Sequence, residues 1–274
     1  MSKGSDKRGQ ITAHDVLARK GRGQRLSMVT CYDASFGRIV NDSTIDIVLV
    51  GDSLGNVMLG LPSTIPVTVE HMIHHTAAVA RVLTRPLLCT DMPFFSYQLS
   101  RGQALKNAGR MIQEGGAHSV KLEGGKEVSD KIRAIVRAGV PVMGHLGLTP
   151  QSIHALGGFR VQGRGKKAEA KLIDDAKRLQ DAGCFSIVLE LVPQDLAAQV
   201  TASLEVPTIG IGAGARCDGQ VLVLQDLLGM DAAFKPKFLK KYANLHDVVS
   251  TALSLFDREV KDGTFPDSDH SFAE

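Results

Sequence analysis

The sequence predicts an α/β fold, a single-domain (β/α)8 TIM barrel in which eight parallel strands alternate with helices. Three observations support this prediction. The 274 residues match the usual length of one such barrel. Short apolar runs alternate with helical patterns along the chain, which indicates right-handed crossovers and a parallel sheet. Most of these runs are continuously apolar, as expected for strands that are buried on both faces.

Eight candidate strands appear in order along the chain. They cover residues 27–31, 46–51, 86–90, 118–122, 140–144, 185–189, 206–211 and 221–225. Only a short loop separates the last two strands. Eight parallel strands with helical crossovers favour closure into a barrel.

Helical patterns fill most of the gaps between these strands. Segment 68–82 begins with Thr68 as a candidate N-cap, followed by the acidic Glu70. Segment 100–114 begins at Ser100 and ends before a pair of glycines, which is a typical start and stop. The other predicted helices cover 126–138, 167–182, 194–204 and 245–260, and the last of these is amphipathic.

No linker divides the chain into separate domains. The sequence predicts a flexible basic leader over 1–10, a catalytic barrel domain over 11–262 and a polar tail over 263–274. The stretch 157–168 is rich in glycine and basic residues and follows the fifth strand. Long loops in compact domains are usually functional or disordered, so we expect a mobile active-site loop there.

The composition excludes several classes of function. The 32 Lys+Arg and 29 Asp+Glu give a net charge of +3, too balanced to indicate nucleic acid or an anionic membrane as a partner. No apolar run reaches the roughly 18 residues of a membrane helix, and no signal peptide is predicted. The N-terminal basic residues are interpreted as part of a solvated flexible leader rather than an RNA-binding arm; they are Lys3, Lys7, Arg8, Arg19, Lys20, Arg22 and Arg25.

The four cysteines indicate a reducing compartment. They lie far apart and form no CxxC pair: Cys31, Cys89, Cys184 and Cys217. This pattern favours reduced, mostly buried thiols in a cytoplasmic protein over disulfides or a zinc site.

Four carboxylates each follow a different apolar run, and they predict the functional site. These residues are Asp52, Asp91, Glu123 and Glu190. A carboxylate at the end of an apolar strand is costly unless it has a partner. Because the C-terminal strand ends of an α/β barrel meet at its catalytic face, we expect one shared site.

Asp52 and Asp91 are the candidate metal ligands. Asp52 lies in VGDSLG (50–55) beside Ser53, whose hydroxyl and N–H suit an anion, and Asp91 lies in TDMP (90–93). Each motif alone is compatible with a simple turn or helix cap. Together they predict a Mg²⁺ site, since Mg²⁺ takes one or two carboxylates and completes its octahedron with water and substrate oxygens. No His/Cys cluster has the spacing of a zinc site.

The remaining candidates lie on the fourth, fifth and sixth strands. Lys121 and Glu123 are two residues apart on one strand and so point to the same side, either as a local ion pair or as a substrate cation and an acid near the metal. His145 ends the fifth strand between glycines. Glu190 is the candidate general base, because its apolar neighbours are expected to raise its pKa. The alternative for Glu190 is a pair with a nearby Lys or Arg.

A glycine-rich stretch, IGIGAG (209–214), follows the seventh strand. It is compatible with a phosphate cradle, which barrels often have after strands 7 and 8, or with a turn that lets a flat ligand approach the backbone. It does not have the spacing of a dinucleotide-binding fingerprint.

The motifs in their order resemble the ketopantoate hydroxymethyltransferase family. The resemblance runs from about residue 10 to the DHSF stretch at 269–272. It rests on VGDSLG (50–55), DMPF (91–94), VKLEGG (120–125), GHLGLTPQS (144–152), GGFRVQGRG (157–165), LELVP (189–193), PTIGIGAG (207–214) and DGQVLV (218–223).

This resemblance implies a specific reaction. Family members are (β/α)8 barrels that transfer a hydroxymethyl group from 5,10-methylenetetrahydrofolate to 3-methyl-2-oxobutanoate, forming 2-dehydropantoate (ketopantoate) for pantothenate biosynthesis through a Mg-stabilised enolate. They tend to form homodecamers, so a large homo-oligomer is implied, with small-molecule substrates and no nucleic acid or membrane partner.

The resemblance also implies residue roles. Asp52 and Asp91 bind Mg²⁺ and contact the substrate, with Glu123 nearby, acting through water. Ser53 and Lys121 hold the substrate carboxylate, and His145 hydrogen-bonds the bound oxoacid. Glu190 removes the proton from C3.

Three alternatives remain open at this point. One is another Mg²⁺-dependent α-oxo-acid lyase or mutase of the phosphoenolpyruvate/pyruvate barrel type, although the K-x-C-G loop typical of those enzymes is absent from the sequence. A second is a barrel that binds a phosphorylated metabolite through 210–214. A third is a non-catalytic scaffold that binds folate or another ligand.

Overall fold

The computed structural model describes residues 9–273. Eight parallel strands form a closed barrel in which each strand pairs with the next and β8 pairs with β1. The strands are β1 Leu26–Thr30, β2 Ile47–Val50, β3 Leu87–Asp91, β4 Ser119–Glu123, β5 Val142–Gly147, β6 Ser186–Glu190, β7 Thr208–Ile211 and β8 Gly219–Leu222. The predicted fold class is confirmed, and so are the eight predicted strands, although the eighth begins and ends earlier than the predicted 221–225.

Helices surround the barrel and connect its strands. They are α1 Ala13–Gly21, α2 Ala34–Asn41, α3 Leu54–Val57, α4 Val69–Ala80, α5 Arg101–Gln113, α6 Ser129–Arg137, α7 Ile153–Leu156, α8 Lys166–Asp181, α9 Gln194–Ala202, α10 Leu224–Leu227 and α11 Leu245–Lys261. The predicted caps are confirmed: the side chains of Thr68 and Ser100 accept hydrogen bonds from the backbone N–H groups of His71 and Gln103. Helices α1, α2, α3, α7 and α10 have no counterpart in the sequence prediction.

The barrel interior is packed with apolar side chains. Met28, Ile47, Leu87 and Val221 belong to one buried cluster with Cys89. All four cysteines are buried and free, which confirms the predicted thiols. Burial raises the pKa of Cys31 to about 11, so this side chain stays protonated at neutral pH.

The chain divides into two compact units at Val223. The first contains β1–β8 and α1–α9, and the second, from Leu224 onward, contains α10 and α11. This division lies inside the range 11–262 that the sequence assigns to one domain, so the predicted boundary at 262 stays a prediction. Most of the predicted leader over 1–10, and Glu274 of the predicted tail, lie outside the described residues.

The interpretation of the N-terminal cations as a solvated leader is wrong for Arg19 and Lys20, which are partly buried, while Arg25 is exposed but bonded to the barrel. Arg19 Nη2 lies 2.9 Å from Asp46 Oδ1, and Lys20 Nζ lies 2.9 Å from Asp218 Oδ2. Arg25 donates to two backbone carbonyls in the loop that precedes β8. These partners are distant in sequence, which is why local composition gave no sign of them. Arg22 is exposed, and Lys3, Lys7 and Arg8 lie outside the described residues.

No helix within residues 9–273 combines the length and the apolar character needed to cross a membrane. The predicted cytoplasmic location stays a prediction.

Candidate active site

The structure brings the four predicted carboxylates to the same end of the barrel. Asp91, Glu123 and Glu190 are the last residues of β3, β4 and β6, and Asp52 follows β2 by two residues. The strand register pairs Asp91 with Lys121, and it pairs Glu123 with His145. Each of these side chains is buried except that of Glu190, which is 19% exposed.

Asp52 and Asp91 are in direct contact. The backbone N–H of Asp52 donates to Asp91 Oδ2 over 3.0 Å. Burial, together with the nearby charges of Asp91 and Glu123, raises the pKa of Asp52 well above its usual range. Burial also raises the pKa of Asp91. Carboxylates crowded in this way favour the approach of a cation.

Lys121 is the buried cation of the cluster. Its Nζ lies 2.9 Å from Asp91 Oδ1. Burial opposes the charged ammonium, but the surrounding carboxylates outweigh it and raise the pKa of Lys121. Lys121 and Glu123 both lie on the inner side, as the period-two argument predicts, yet the ion pair that Lys121 forms is with Asp91.

Both oxygens of Glu123 already have partners from the protein. Its Oε2 accepts a hydrogen bond of 3.0 Å from the backbone N–H of Gln151, and its Oε1 lies 3.3 Å from His145 Nδ1. Burial would raise the pKa of Glu123, but the bond with His145 and the nearby Lys121 charge lower it overall.

His145 connects two of the carboxylates. Its Nε2 lies 3.3 Å from Glu190 Oε2, on the side opposite Glu123. Burial and the Lys121 charge lower the pKa of His145, but the two carboxylates outweigh them and raise it to about 9. Lys121 Nζ also lies 3.2 Å from Nδ1, and because the protonated imidazole cannot accept a hydrogen bond, the two cations repel each other there at neutral pH.

Glu190 is less desolvated than the sequence predicts. Its side chain is 19% exposed. Adjacent residues of a strand point to opposite faces, so the apolar residues next to Glu190 in sequence do not cover its carboxylate. Its ion-pair partner within residues 9–273 is His145 rather than the Lys or Arg of the alternative interpretation.

The backbone around Glu190 is tightly held. Its carbonyl accepts a 2.8 Å hydrogen bond from Leu148 N–H. A Cβ on Gly147 would lie 2.1 Å from that carbonyl oxygen, so only glycine fits there. The next residue, Leu191, has φ 46°, a left-handed conformation that costs a leucine free energy. Strain beside a candidate base indicates a position that the fold fixes closely.

Ser53, the other predicted anion ligand, lies at the start of α3. Its Oγ is 2.8 Å from the hydroxyl of the buried Tyr32. This contact restricts the serine rotamer beside Asp52.

Sequence reasoning missed two buried neutral residues in the site, Gln151 and Tyr97. The Gln151 amide donates to Asp52 Oδ2 over 2.9 Å, and the Tyr97 hydroxyl donates to Gln151 Oε1 over 2.8 Å. Gln151 lies within the GHLGLTPQS motif, which is the one signal in the sequence that could have identified it.

The donor set fits a magnesium ion that also takes ligands from water and substrate. Within residues 9–273, no group of three His, Cys, Asp or Glu side chains converges as an all-protein metal site would require. Asp91 Oδ1 is buried and lies 2.9 Å from Lys121 Nζ. Two carboxylates in contact suit Mg²⁺, which binds through one or two carboxylates and usually keeps several waters.

Two glycine-rich loops follow the C-terminal ends of barrel strands: 209–214 at the end of β7, and 157–165 between α7 and α8. In the first, a Cβ on Gly214 would lie 2.5 Å from the Gln194 side chain, so packing explains this glycine. The second, after α7, contains the exposed Phe159 and ends where α8 begins at Lys166. A ligand-binding role for the first loop and mobility of the second stay predictions.

Solved structures of low sequence identity share the fold. Phosphonopyruvate hydrolase in complex with oxalate and Mg²⁺ is 12% identical, with a TM-score of 0.60 over 94% of this chain and 93% of that one. A 2,3-dimethylmalate lyase is 15% identical, with a TM-score of 0.60 over 96% of this chain and 92% of the other. At this identity the likeness supports the barrel alone.

Sequence relatives are much closer. A family model described as ketopantoate hydroxymethyltransferase matches residues 10–268. The 3-methyl-2-oxobutanoate hydroxymethyltransferase of Moorella thermoacetica is 55% identical over 97% of this chain and 98% of its own. The enzyme of the same name from Pelobacter propionicus is 53% identical over 98% of this chain and 99% of its own. The family resemblance is therefore confirmed, and this chain belongs to the ketopantoate hydroxymethyltransferase family of enzymes.

Proposed function

We propose that this enzyme transfers a hydroxymethyl group from 5,10-methylenetetrahydrofolate to 3-methyl-2-oxobutanoate, forming ketopantoate for pantothenate biosynthesis. The observation that carries the proposal is the convergence of Asp52, Asp91 and Lys121 with the His145–Glu190 pair at one barrel end. The identity of the folate donor comes from family membership, and the acid–base part comes from the geometry.

Asp52 and Asp91 are the proposed Mg²⁺ ligands, with Glu123 acting through water. When bound, Mg²⁺ would act as a Lewis acid on the keto and carboxylate oxygens of the substrate and make the C3 proton more acidic. The contact between Asp52 N–H and Asp91 fixes one ligand against the other.

Lys121, Ser53 and His145 are the proposed substrate-binding residues. Lys121 is buried and permanently charged, so its ammonium offers a strong partner to a substrate carboxylate. Ser53 is oriented by Tyr32, and His145 presents a buried imidazole between the two glutamates. Such preorganised donors act without further reorganisation when the substrate loses its proton.

Glu190 is the proposed base that takes the proton from C3. Its carboxylate is partly exposed at the barrel mouth and contacts His145 at 3.3 Å, which restrains one oxygen. C3 then forms a carbon–carbon bond with the one-carbon unit. The bonds from that unit to the folate nitrogens break, and water supplies the hydroxyl oxygen.

We also propose that the enzyme is a homo-oligomer, with a homodecamer as the family expectation. Helix α11 supports this proposal, because it carries an exposed apolar stripe at helical spacing: Val249, Leu253, Phe256 and Val260. Exposed apolar stripes of this kind mark contact surfaces. Sedimentation velocity at micromolar protein would show a single large species, and a monomer would contradict the proposal.

Proton exchange at C3 tests the reaction. The protein is incubated with 3-methyl-2-oxobutanoate in D₂O, with and without Mg²⁺, and the C3 proton is followed by NMR. We expect Mg²⁺-dependent loss of that signal without any folate. Absence of exchange in folded protein would contradict the proposal.

Glu190→Gln is the matched variant for this experiment. It keeps the size of the side chain and removes the base, so it should bind the substrate but lose exchange by roughly 10²-fold or more. Exchange at the wild-type rate would remove Glu190 from the role. Adding 5,10-methylenetetrahydrofolate and detecting ketopantoate by mass spectrometry then tests the donor, and a C–C lyase activity instead would favour the lyase alternative.

A further inference from the structure

Gln151 is joined to both acidic sides of the candidate metal site. Its Nε2 donates to Asp52 Oδ2 and to the Met92 carbonyl, each over 2.9 Å. Its backbone N–H donates to Glu123 Oε2 over 3.0 Å. The side chain is buried, so these bonds are made away from bulk water. One residue therefore fixes an oxygen of Asp52 and an oxygen of Glu123 at once.

Tyr97 determines which way the Gln151 amide faces. Both Nε2 protons are used on acceptors, so Oε1 needs a donor, and the Tyr97 hydroxyl lies nearest at 2.8 Å, with the Glu123 carbonyl as its second acceptor at 3.0 Å. A flipped amide would place Oε1 against Asp52 Oδ2 and the Met92 carbonyl, which are both acceptors. The same hydroxyl accepts from Glu123 N–H over 3.2 Å, which holds it in place. Tyr97 is itself buried.

This arrangement limits what Asp52 can offer to a cation. The Gln151 bond uses one acceptor site of Asp52 Oδ2, so a cation that bound Asp52 through both oxygens would compete with that bond, whereas binding through Oδ1 alone would not. Asp91 is held at both oxygens, because its Oδ2 accepts from Asp52 N–H and its Oδ1 lies 2.9 Å from Lys121 Nζ. One oxygen from each carboxylate suits a small octahedral ion, whereas a larger ion such as Ca²⁺ takes more ligands and often binds carboxylates through both oxygens.

We propose that Gln151, held by Tyr97, is a positioning residue that keeps Asp52 monodentate and thereby sets the preference of the site for Mg²⁺ over Ca²⁺. The inference rests on the metal role proposed above for Asp52 and Asp91. According to this inference, two uncharged residues, Gln151 and Tyr97, determine the selectivity of the site between Mg²⁺ and Ca²⁺.

Calorimetric titration of the folate-free protein with Mg²⁺ and with Ca²⁺ tests the inference. For Gln151→Ala we expect Mg²⁺ affinity to fall by roughly tenfold to a hundredfold, as for other residues that orient metal ligands. Ca²⁺ affinity should change less, so that the ratio of the two dissociation constants shifts toward Ca²⁺ by at least about fivefold. A folded variant with a ratio within twofold of wild type would overturn the inference.

Gln180→Ala is the matched control. The Gln180 side chain also bonds the backbone, because its Oε1 accepts from the N–H groups of Glu205 and Val206, just before β7 begins and at the end of the strands opposite the carboxylates. This control variant should lower the melting temperature without changing the ratio of the Mg²⁺ and Ca²⁺ dissociation constants. An equal shift of the ratio in this control would reduce Gln151 to a structural role and overturn the inference.

Tyr97→Phe keeps the inference testable if Gln151→Ala does not fold. It removes only the hydroxyl, leaves the ring in place and should shift the ratio in the same direction by a smaller factor; an unchanged ratio would count against the proposal. Wild-type protein that binds no Mg²⁺ would refute the proposed metal role, and the inference with it. Wild-type binding with an unchanged ratio in the folded variants would refute the inference alone.

Discussion

His145 Nε2 lies 3.3 Å from Glu190 Oε2, so an imidazole edge meets the carboxylate proposed as the base. The other imidazole nitrogen faces Glu123 at 3.3 Å. His145 can therefore hold the Glu190 carboxylate in one orientation and stabilise its negative charge. Glu190, rather than His145, stays the proposed proton acceptor.

A double-mutant cycle on this pair tests their coupling. We expect His145→Gln to slow C3 exchange by about tenfold or more and Glu190→Gln to slow it by roughly 10²- to 10⁴-fold, the usual contribution of a general base. The double variant should be no slower than Glu190→Gln alone, since groups that act as a unit are not additive. NMR measures the C3 exchange rate of the wild type, the two single variants and the double variant. If the two single effects on the rate multiply in the double variant, the residues act independently.

Asp52→Asn should have opposite effects with and without metal. Burial and the charge of Asp91 raise the pKa of Asp52, so its ionised form destabilises the metal-free protein at neutral pH. We expect the variant to gain on the order of 1 kcal/mol of stability without Mg²⁺ and to lose the rise in melting temperature that Mg²⁺ produces in wild type. Calorimetric melting with and without Mg²⁺ measures both effects. A lower melting temperature without metal would contradict the argument.

Gly147→Ala should damage both stability and exchange. The added Cβ would lie 2.1 Å from the Glu190 carbonyl oxygen, at φ 92°. Gly139 is the matched control, because its φ is 91° but nothing lies within 4 Å of its Cβ position. We expect Gly139→Ala to cost about 1 kcal/mol from backbone strain alone, and Gly147→Ala to cost about 2 kcal/mol more. Urea unfolding measures the free energy of unfolding of each variant. Equal losses of stability at the two positions would show that the contact with the Glu190 carbonyl oxygen has no effect.

Asp226→Asn should stabilise the protein in a limited pH range. Burial, followed by the charge of Asp231, raises the pKa of Asp226 to about 6 from an ordinary value of 3.8. Because the folded pKa is the higher one, ionisation is unfavourable in the folded state above pH 6, and this penalty disappears as the pH falls toward 4. The variant should therefore melt higher than wild type at pH 7 and equally near pH 4.

Asp257→Asn serves as the control for this pH series. Asp257 is exposed and pairs with Lys261 at 2.8 Å within one helix, a contact worth little. Its substitution should leave the pH profile of the melting temperature unchanged. A stability gain for Asp226→Asn that persists at pH 4 would show that ionisation is not its cause.

The strands and the site carboxylates were predictable because their signals are local. A run such as Ile47–Val50 is apolar throughout, and a carboxylate placed just after it stands out in the sequence. The predicted eighth strand, 221–225, runs too far, since Leu224 and Gln225 begin helix α10 and the strand starts at Gly219. An apolar run alone does not distinguish a strand from the buried turn of a helix.

The parts that were missed depend on long-range contacts. Lys20 looks like a solvent cation in sequence and acquires its partner, Asp218, only through closure of the barrel. Gln151 and Tyr97 carry no charge, so their residue types do not indicate that Gln151 holds Asp52 or that Tyr97 holds Gln151. The partial exposure of Glu190 likewise follows from the direction of its side chain rather than from the polarity of its neighbours.

The strand register aligns the residues of the candidate site with one another. Asp91 pairs with Lys121, Glu123 with His145 and Gly147 with Glu190 across consecutive strands. Because side chains alternate between the two faces of a strand, a slip of one residue would turn an acid or its partner out of the barrel and into the helical layer. A barrel that tolerated such a slip would still bury its apolar residues, but it would have no active site. Selection for the reaction therefore also selects the alignment of these strands.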